Sequence, residues 1–102
     1  MKINLVDTPG YANFIGHARA GVRAADAAIA VIHGVDGVQV QTDRVWRWAG
    51  EEELAGVFVV NMLDRERADF QEALSGIQES FSRAAVPVAI PMGKEDDFKG
   101  VI

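Results

Sequence analysis

The chain contains no cysteine, so it can form neither a disulfide nor a thiolate metal centre, in keeping with a reducing compartment. Imidazole is scarce as well. His17 and His33 stand apart without helical or finger spacing, which argues against a zinc site built on histidines. No apolar run approaches membrane-spanning length. The start has no basic region leading into an apolar stretch and a small-residue cleavage site. The expected setting is therefore cytoplasmic, with no membrane partner. Positive charge is in deficit too: ten basic against fifteen acidic residues give a net charge of -5. That balance argues against a phosphate-backbone footprint on this segment. No Ser-His-Asp set and no paired-carboxylate hydrolase geometry can be assembled from the residues present.

What remains has the composition of a globular protein, 49 % hydrophobic and 25 % charged. A compact chain of 102 residues is expected to bury roughly 60 to 70 % of its unfolded surface. Short apolar runs alternate with helical periodicity. Residues 2 to 6 read as a strand, and Phe14, Ala18 and Val22 place a small-residue stripe on a helix over about residues 12 to 24. Residues 27 to 32 form a second strand, apolar on both faces as in a buried parallel sheet. Val38, Thr42, Val45, Trp46 and Ala49 mark a second helix, and residues 57 to 60 a third strand. Phe70, Ala73, Leu74, Ile77, Phe81 and Ala84 form the most regular stripe, and Val86 to Ile90 reads as the last strand. The tail from Gly93 is polar until Val101 and Ile102, where another strand begins. Alternation of this kind predicts right-handed crossovers and an α/β fold with a mostly parallel sheet. No repeat, low-complexity tract or linker marks a second domain.

Two strand ends carry the chemistry. The run Ile3-Asn4-Leu5-Val6 closes on Asp7-Thr8-Pro9-Gly10, a carboxylate followed by a glycine turn, which suits a magnesium-bound nucleoside triphosphate. The run Val57-Phe58-Val59-Val60 closes on Asn61-Met62-Leu63-Asp64. An ionised carboxylate there accepts only, so Asp64 can take both donors of the guanine edge, N1–H and the exocyclic amine, whereas adenine offers no such pair. Asn61 would brace that loop. Each motif also has a plain structural reading, Asp7 as a helix cap and Asn61 to Asp64 as a solvent-exposed turn. Together they point to a GTPase.

The residues also carry a family resemblance. DTPGYANF resembles the switch segment of elongation factor G and its elongation factor G-like paralogues, and GVQVQTDRVWRWA resembles their GVxxQTxxVW helix. NMLDRERADF resembles their NKxD loop with the helix after it, and IPMGKEDDFKGVI resembles the segment that leads toward their inserted subdomain. Four matches in order cover nearly the whole chain. They imply a three-layer α/β/α domain of P-loop GTPase type, with residues 1–102 as its central part, from the switch-segment strand to the start of the inserted subdomain. The phosphate-binding loop GxxxxGK[ST] that such a domain requires does not occur here, nor does the first switch or the later SAL-type loop. Gly93-Lys94 lacks the upstream glycine spacing.

By resemblance, Asp7 helps to hold Mg²⁺ through water, and Gly10 offers its N–H to the γ-phosphate beside Thr8 and Pro9. Asn61, Met62, Leu63 and Asp64 form the base loop. Two positions depart from the family pattern. Met62 stands in place of a lysine, which keeps the apolar contact but not the charge. Tyr11 stands in place of the histidine that positions the attacking water, a substitution also found in the paralogues. The implied ligands are GTP or GDP with Mg²⁺, and the implied partner is the ribosome, both for a complete protein. The 102 residues alone are expected to be inactive. The other reading is a catalytically silent α/β binding or scaffold module derived from such a domain. Trp46 and Phe70 are expected in the core, Trp48 as a surface aromatic awaiting a partner, and Asp69 as a helix-start carboxylate.

Overall fold

The computed structural model describes residues 1–102, with the side chain of Ala12 left aside. A 3-10 turn at Ala12–Phe14 leads into α1 (Ile15–Arg23), followed by β1 (Ala27–His33), α2 (Val40–Glu51), β2 (Ala55–Asn61) and α3 (Phe70–Ser80). A two-stranded ribbon, β3 (Pro91–Met92) and β4 (Gly100–Val101), closes the chain around a 3-10 turn at Glu95–Asp97.

β1 and β2 pair in parallel, with Ala27 opposite Ala55 through to His33 opposite Asn61. Both are rich in β-branched residues, which suit a pleated surface. The residues that partner in this register share a face, so Ala28, Ala30 and Ile32 lie beside Gly56, Phe58 and Val60. Helices cover that face. Trp46 of α2 meets Phe58 with ring centroids 4.0 Å apart, and Phe81 at the end of α3 stacks on Phe58 at 5.2 Å. The core is small: Ile32, Ala49, Leu63, Ala68, Ala73 and Ile77. Ala73 and Ile77 sit four apart on α3, which is why that stripe is so regular in the sequence.

The opposite face, Ile29, Val31, Val57 and Val59, is bare, and Ile29 is 70 % exposed. The parallel α/β arrangement therefore stands with one helical layer. The second layer expected from the resemblance is supplied by no described element of this chain. The accessible surface, 7858 Å² for 11.0 kDa, exceeds the roughly 5600 Å² of a compact monomer of that mass. Only about half of the unfolded surface is buried, less than expected from length alone. The radius of gyration, 14.7 Å, likewise exceeds the roughly 13 Å typical of this length.

Two expected strands are absent. Residues 2 to 6 are irregular and exposed, with Leu5 92 % accessible. An apolar run becomes a strand only when a neighbour accepts its backbone hydrogen bonds, and among the described residues β1 pairs with β2 alone. Val86 to Ile90 does not pair with β2 either. Pro87 has no N–H to give a ladder, and pairing begins only where Ile90 exchanges bonds with Ile102, at 2.8 and 2.9 Å. The apolar end of the tail does form a strand, antiparallel to Pro91–Met92.

α1 packs along α2 through its surface charges: Arg19 meets Glu51 at 3.3 Å and Arg23 meets Glu52 at 3.1 Å. Arg19 also lies 5.7 Å from the Trp48 ring. Trp48 therefore has its partner within the chain, contrary to the expectation of an unpaired surface aromatic.

Candidate nucleotide site

The carboxyl ends of β1 and β2 lie side by side, the position at which open parallel sheets hold ligands. After β1 the chain turns at Gly34, whose N–H donates to the Asn61 carbonyl at 2.8 Å and whose carbonyl accepts from the Asp69 N–H at 3.1 Å. Gly34 is buried there, and a β-carbon would lie 2.8 Å from the Asn61 carbonyl oxygen. Only glycine allows the two strand-end loops to approach this closely.

The loop from Asn61 to Asp69 is compact. Met62 and Arg67 both adopt left-handed backbone, with φ of 60° and 68°. The Met62 carbonyl accepts from Arg65 and the Arg65 carbonyl from Ala68. Leu63 is 7 % exposed and anchors the loop in the core, so its side chain faces inward rather than toward a ligand. Asn61, Met62 and Asp64 are exposed around that anchor. Among the described residues the Asp64 carboxylate has neither a hydrogen bond nor an ion pair, which leaves its acceptor oxygens available. At the far end, Asp69 accepts from the N–H groups of Gln71 at 2.8 Å and Glu72 at 3.1 Å, capping α3 as its position in the sequence implied.

Residues 7–10 form no regular element. Asp7, Pro9, Gly10 and Tyr11 are exposed, and Thr8 is half-buried, its Cγ2 lying beside Gly21 of α1. The Tyr11 carbonyl accepts from Phe14 at 2.9 Å, opening the 3-10 turn. Asp7 does not cap the helix, whose N-cap Phe14 has no side-chain bond. Among the described residues no hydrogen bond joins residues 7–11 to the loop 61–64. The two motifs are therefore not brought together by contacts within this chain.

Two open hollows of about 480 and 360 Å³ occur elsewhere, one along Ser75, Gln78, Glu79 and Arg83, the other beside Asp69, Phe70 and Lys94. Neither hollow includes Asn61 or Asp64. No group of three or more histidine or carboxylate side chains among the described residues can encage a metal. His33 is a structural residue: its Nδ1 accepts from Val35 and Asp36 N–H at 3.2 Å each.

The family described as "Elongation factor Tu GTP binding domain" matches residues 1–98. The chain belongs to the elongation factor Tu GTP-binding domain family. Its relatives within that family include elongation factor G sequences. It is 39 % identical over 101 residues to the elongation factor G-like protein of Thermotoga maritima, and 41 % identical over 101 residues to elongation factor G 1 of Treponema denticola. These matches cover 99 % of the chain and 15 % of each relative, so residues 1–102 are a short piece of the length of the proteins they resemble. A crystal structure of a protein from Thermus thermophilus superimposes with a TM-score of 0.83 at 32 % identity, over 94 % of this chain and 14 % of that one. The parallel pair, its covering helices and the closing ribbon are thus a segment of a GTP-binding domain of this family. The bare sheet face and the unpaired edge of β1 accord with a segment of a larger fold.

Two residues that hold the loop 61–69 were not singled out in the sequence. Gly34 follows a strand end directly, and that placement was the available signal. Glu95, whose N–H donates to the Leu63 carbonyl at 3.0 Å and whose Oε1 accepts from the Arg67 N–H at 2.9 Å, stood within an acidic run that read as a polar tail.

Proposed function

We propose that residues 1–102 are the central part of the GTP-binding domain of an elongation factor G-like translational GTPase, from the switch-segment strand to the start of the inserted subdomain. In its complete form that protein binds GTP and Mg²⁺ in the cytoplasm and hydrolyses GTP on the ribosome. The observation that carries this reading is the loop after β2, where Asp64 stands exposed and unpartnered at the carboxyl end of a parallel strand.

The donor set fits the ligand in part. Asp64 supplies the acceptor pair for guanine, with Asn61 holding the loop to Gly34 and Met62 lying at its exposed rim. Asp7 is one free carboxylate, which suits Mg²⁺, an ion that takes one or two carboxylates and completes its shell with phosphates and water. Gly10 presents a backbone N–H and no side chain, while Thr8 and Pro9 set the turn before it. Magnesium supplies charge neutralisation of the phosphates when bound. Tyr11 offers a phenolic hydroxyl that can donate a hydrogen bond to water or phosphate. The ribosome is the partner of the complete protein, and this acidic segment contributes no nucleic-acid footprint.

The test is base choice in a GTP-binding domain completed around these residues. Asp64→Asn exchanges an acceptor for a donor and is expected to shift preference from GTP toward XTP in a competition titration. An unchanged preference would make Asp64 a turn residue only.

A further inference from the structure

Glu95 grips the loop 61–69 at two points that bracket Asp64. Its backbone N–H donates to the Leu63 carbonyl at 3.0 Å, and its Oε1 accepts from the Arg67 N–H at 2.9 Å. Leu63 directly precedes Asp64, and Arg67 ends the turn that follows it. The bond to Arg67 joins residues 28 apart in sequence, so this hold is tertiary in origin.

The loop needs such a hold. Met62 and Arg67 are non-glycine residues in left-handed backbone, a conformation that persists when the surroundings fix it. The two ends of the loop are fixed by Gly34, through Asn61 and Asp69. Glu95 is the corresponding hold on its middle, at Leu63 and Arg67. It is itself fixed by the closing ribbon, where the Lys99 N–H donates to the Met92 carbonyl at 2.9 Å and the Phe98 N–H to the Glu95 carbonyl at 3.0 Å. A charged acceptor on a backbone N–H is among the stronger hydrogen bonds. Both contacts leave the Asp64 carboxylate exposed.

We infer that Glu95 is a positioning residue for base recognition: it fixes the height and angle of Asp64, and so couples the ribbon of residues 90–102 to the choice of guanine. This inference rests on the reading of Asp64 as the guanine acceptor. Its signature is specific. A correctly placed carboxylate takes both N1–H and the exocyclic amine, whereas a displaced one keeps a single bond. Guanine and hypoxanthine differ in that amine, so loss of the brace lowers discrimination between GDP and IDP more than it lowers affinity for either phosphate chain.

The experiment measures GDP and IDP affinities in a GTP-binding domain completed around these residues, for the parent, Glu95→Ala and Glu95→Gln. Glu95→Ala is expected to reduce the GDP-to-IDP affinity ratio by at least about fivefold. Glu95→Gln retains an acceptor oxygen and is expected to hold the ratio within about twofold. Amide exchange in the same completed domain provides a second readout, with the Arg67 N–H protected in the parent and faster in Glu95→Ala. A merely structural residue would lower thermal stability and leave the ratio unchanged, and that result overturns the inference, as does an unprotected Arg67 N–H in the parent. Asp64→Asn in parallel separates the two ideas. If it redirects base choice while Glu95→Ala leaves the ratio intact, the base reading stands and the brace falls. If it leaves base choice unchanged, both fall.

Discussion

The indole of Trp46 lies against the backbone of Gly56, so that a β-carbon at position 56 would collide with Cη2 and Cζ3 of the ring. This contact joins α2 to β2 at the start of the covered sheet face. It also seats the ring against Phe58 and Phe81. Gly56 is in a strand interior, where glycine is ordinarily a poor choice, and the close approach of the ring is the physical reason for it.

Gly56→Val therefore sets strand propensity against space. Valine is the better strand former, but the collision is with an aromatic ring rather than a flexible chain end, and the clash is expected to win by about 1 to 3 kcal/mol. Urea denaturation of the parent and the variant measures this directly. In a Trp46→Leu background the same substitution should cost less, because the obstructing ring is gone. An equal cost in both backgrounds would show that the contact does not govern position 56.

Asp69 satisfies two N–H groups at the start of α3 through a single carboxylate oxygen. Asp69→Ala is expected to destabilise the chain by about 1 kcal/mol, with Asp69→Asn closer to the parent because the amide oxygen still accepts. For a chain of this length that loss corresponds to a fall in Tm of about 4 to 8 °C. Identical melting of the alanine variant and the parent would dismiss the cap as a contributor.

Hydrogen exchange should rank the segments by their pairing. Residues 2–10 have no sheet partner and are largely exposed, while β2 sits against β1 on one edge and under Trp46 and Phe81 on one face. Amides of the first segment are expected to exchange far faster than those of β2, with α1 between them. Slower exchange in residues 2–10 than in β2 would mean that the N-terminal run has found a strand partner.

The isolated chain is expected to bind GTP no tighter than about millimolar. In P-loop proteins the phosphates are held mainly by a backbone cradle and a lysine, and the sequence of residues 1–102 contains no such motif. The base and one carboxylate do not outweigh the entropic cost of association. Calorimetric titration with and without Mg²⁺ tests this, and micromolar, magnesium-dependent binding would contradict it.

The sequence by itself determined the three helices and the two central strands, because each depends on local periodicity or on a residue pattern a few positions long. Asp69 was legible for the same reason: a cap is a contact between near neighbours. Family membership was legible because four motifs occur in a fixed order. Tertiary structure alone decided which apolar runs became strands. Residues 2–6 and 86–90 have the composition of strands, but a strand is a relationship between two backbones, and neither run has a parallel partner here. It also decided that Leu63 faces the core, that Trp48 meets Arg19, and that Gly34 and Glu95 both hold the loop of Asp64. Those contacts join residues tens of positions apart, and local sequence carries no record of a distance that only folding closes.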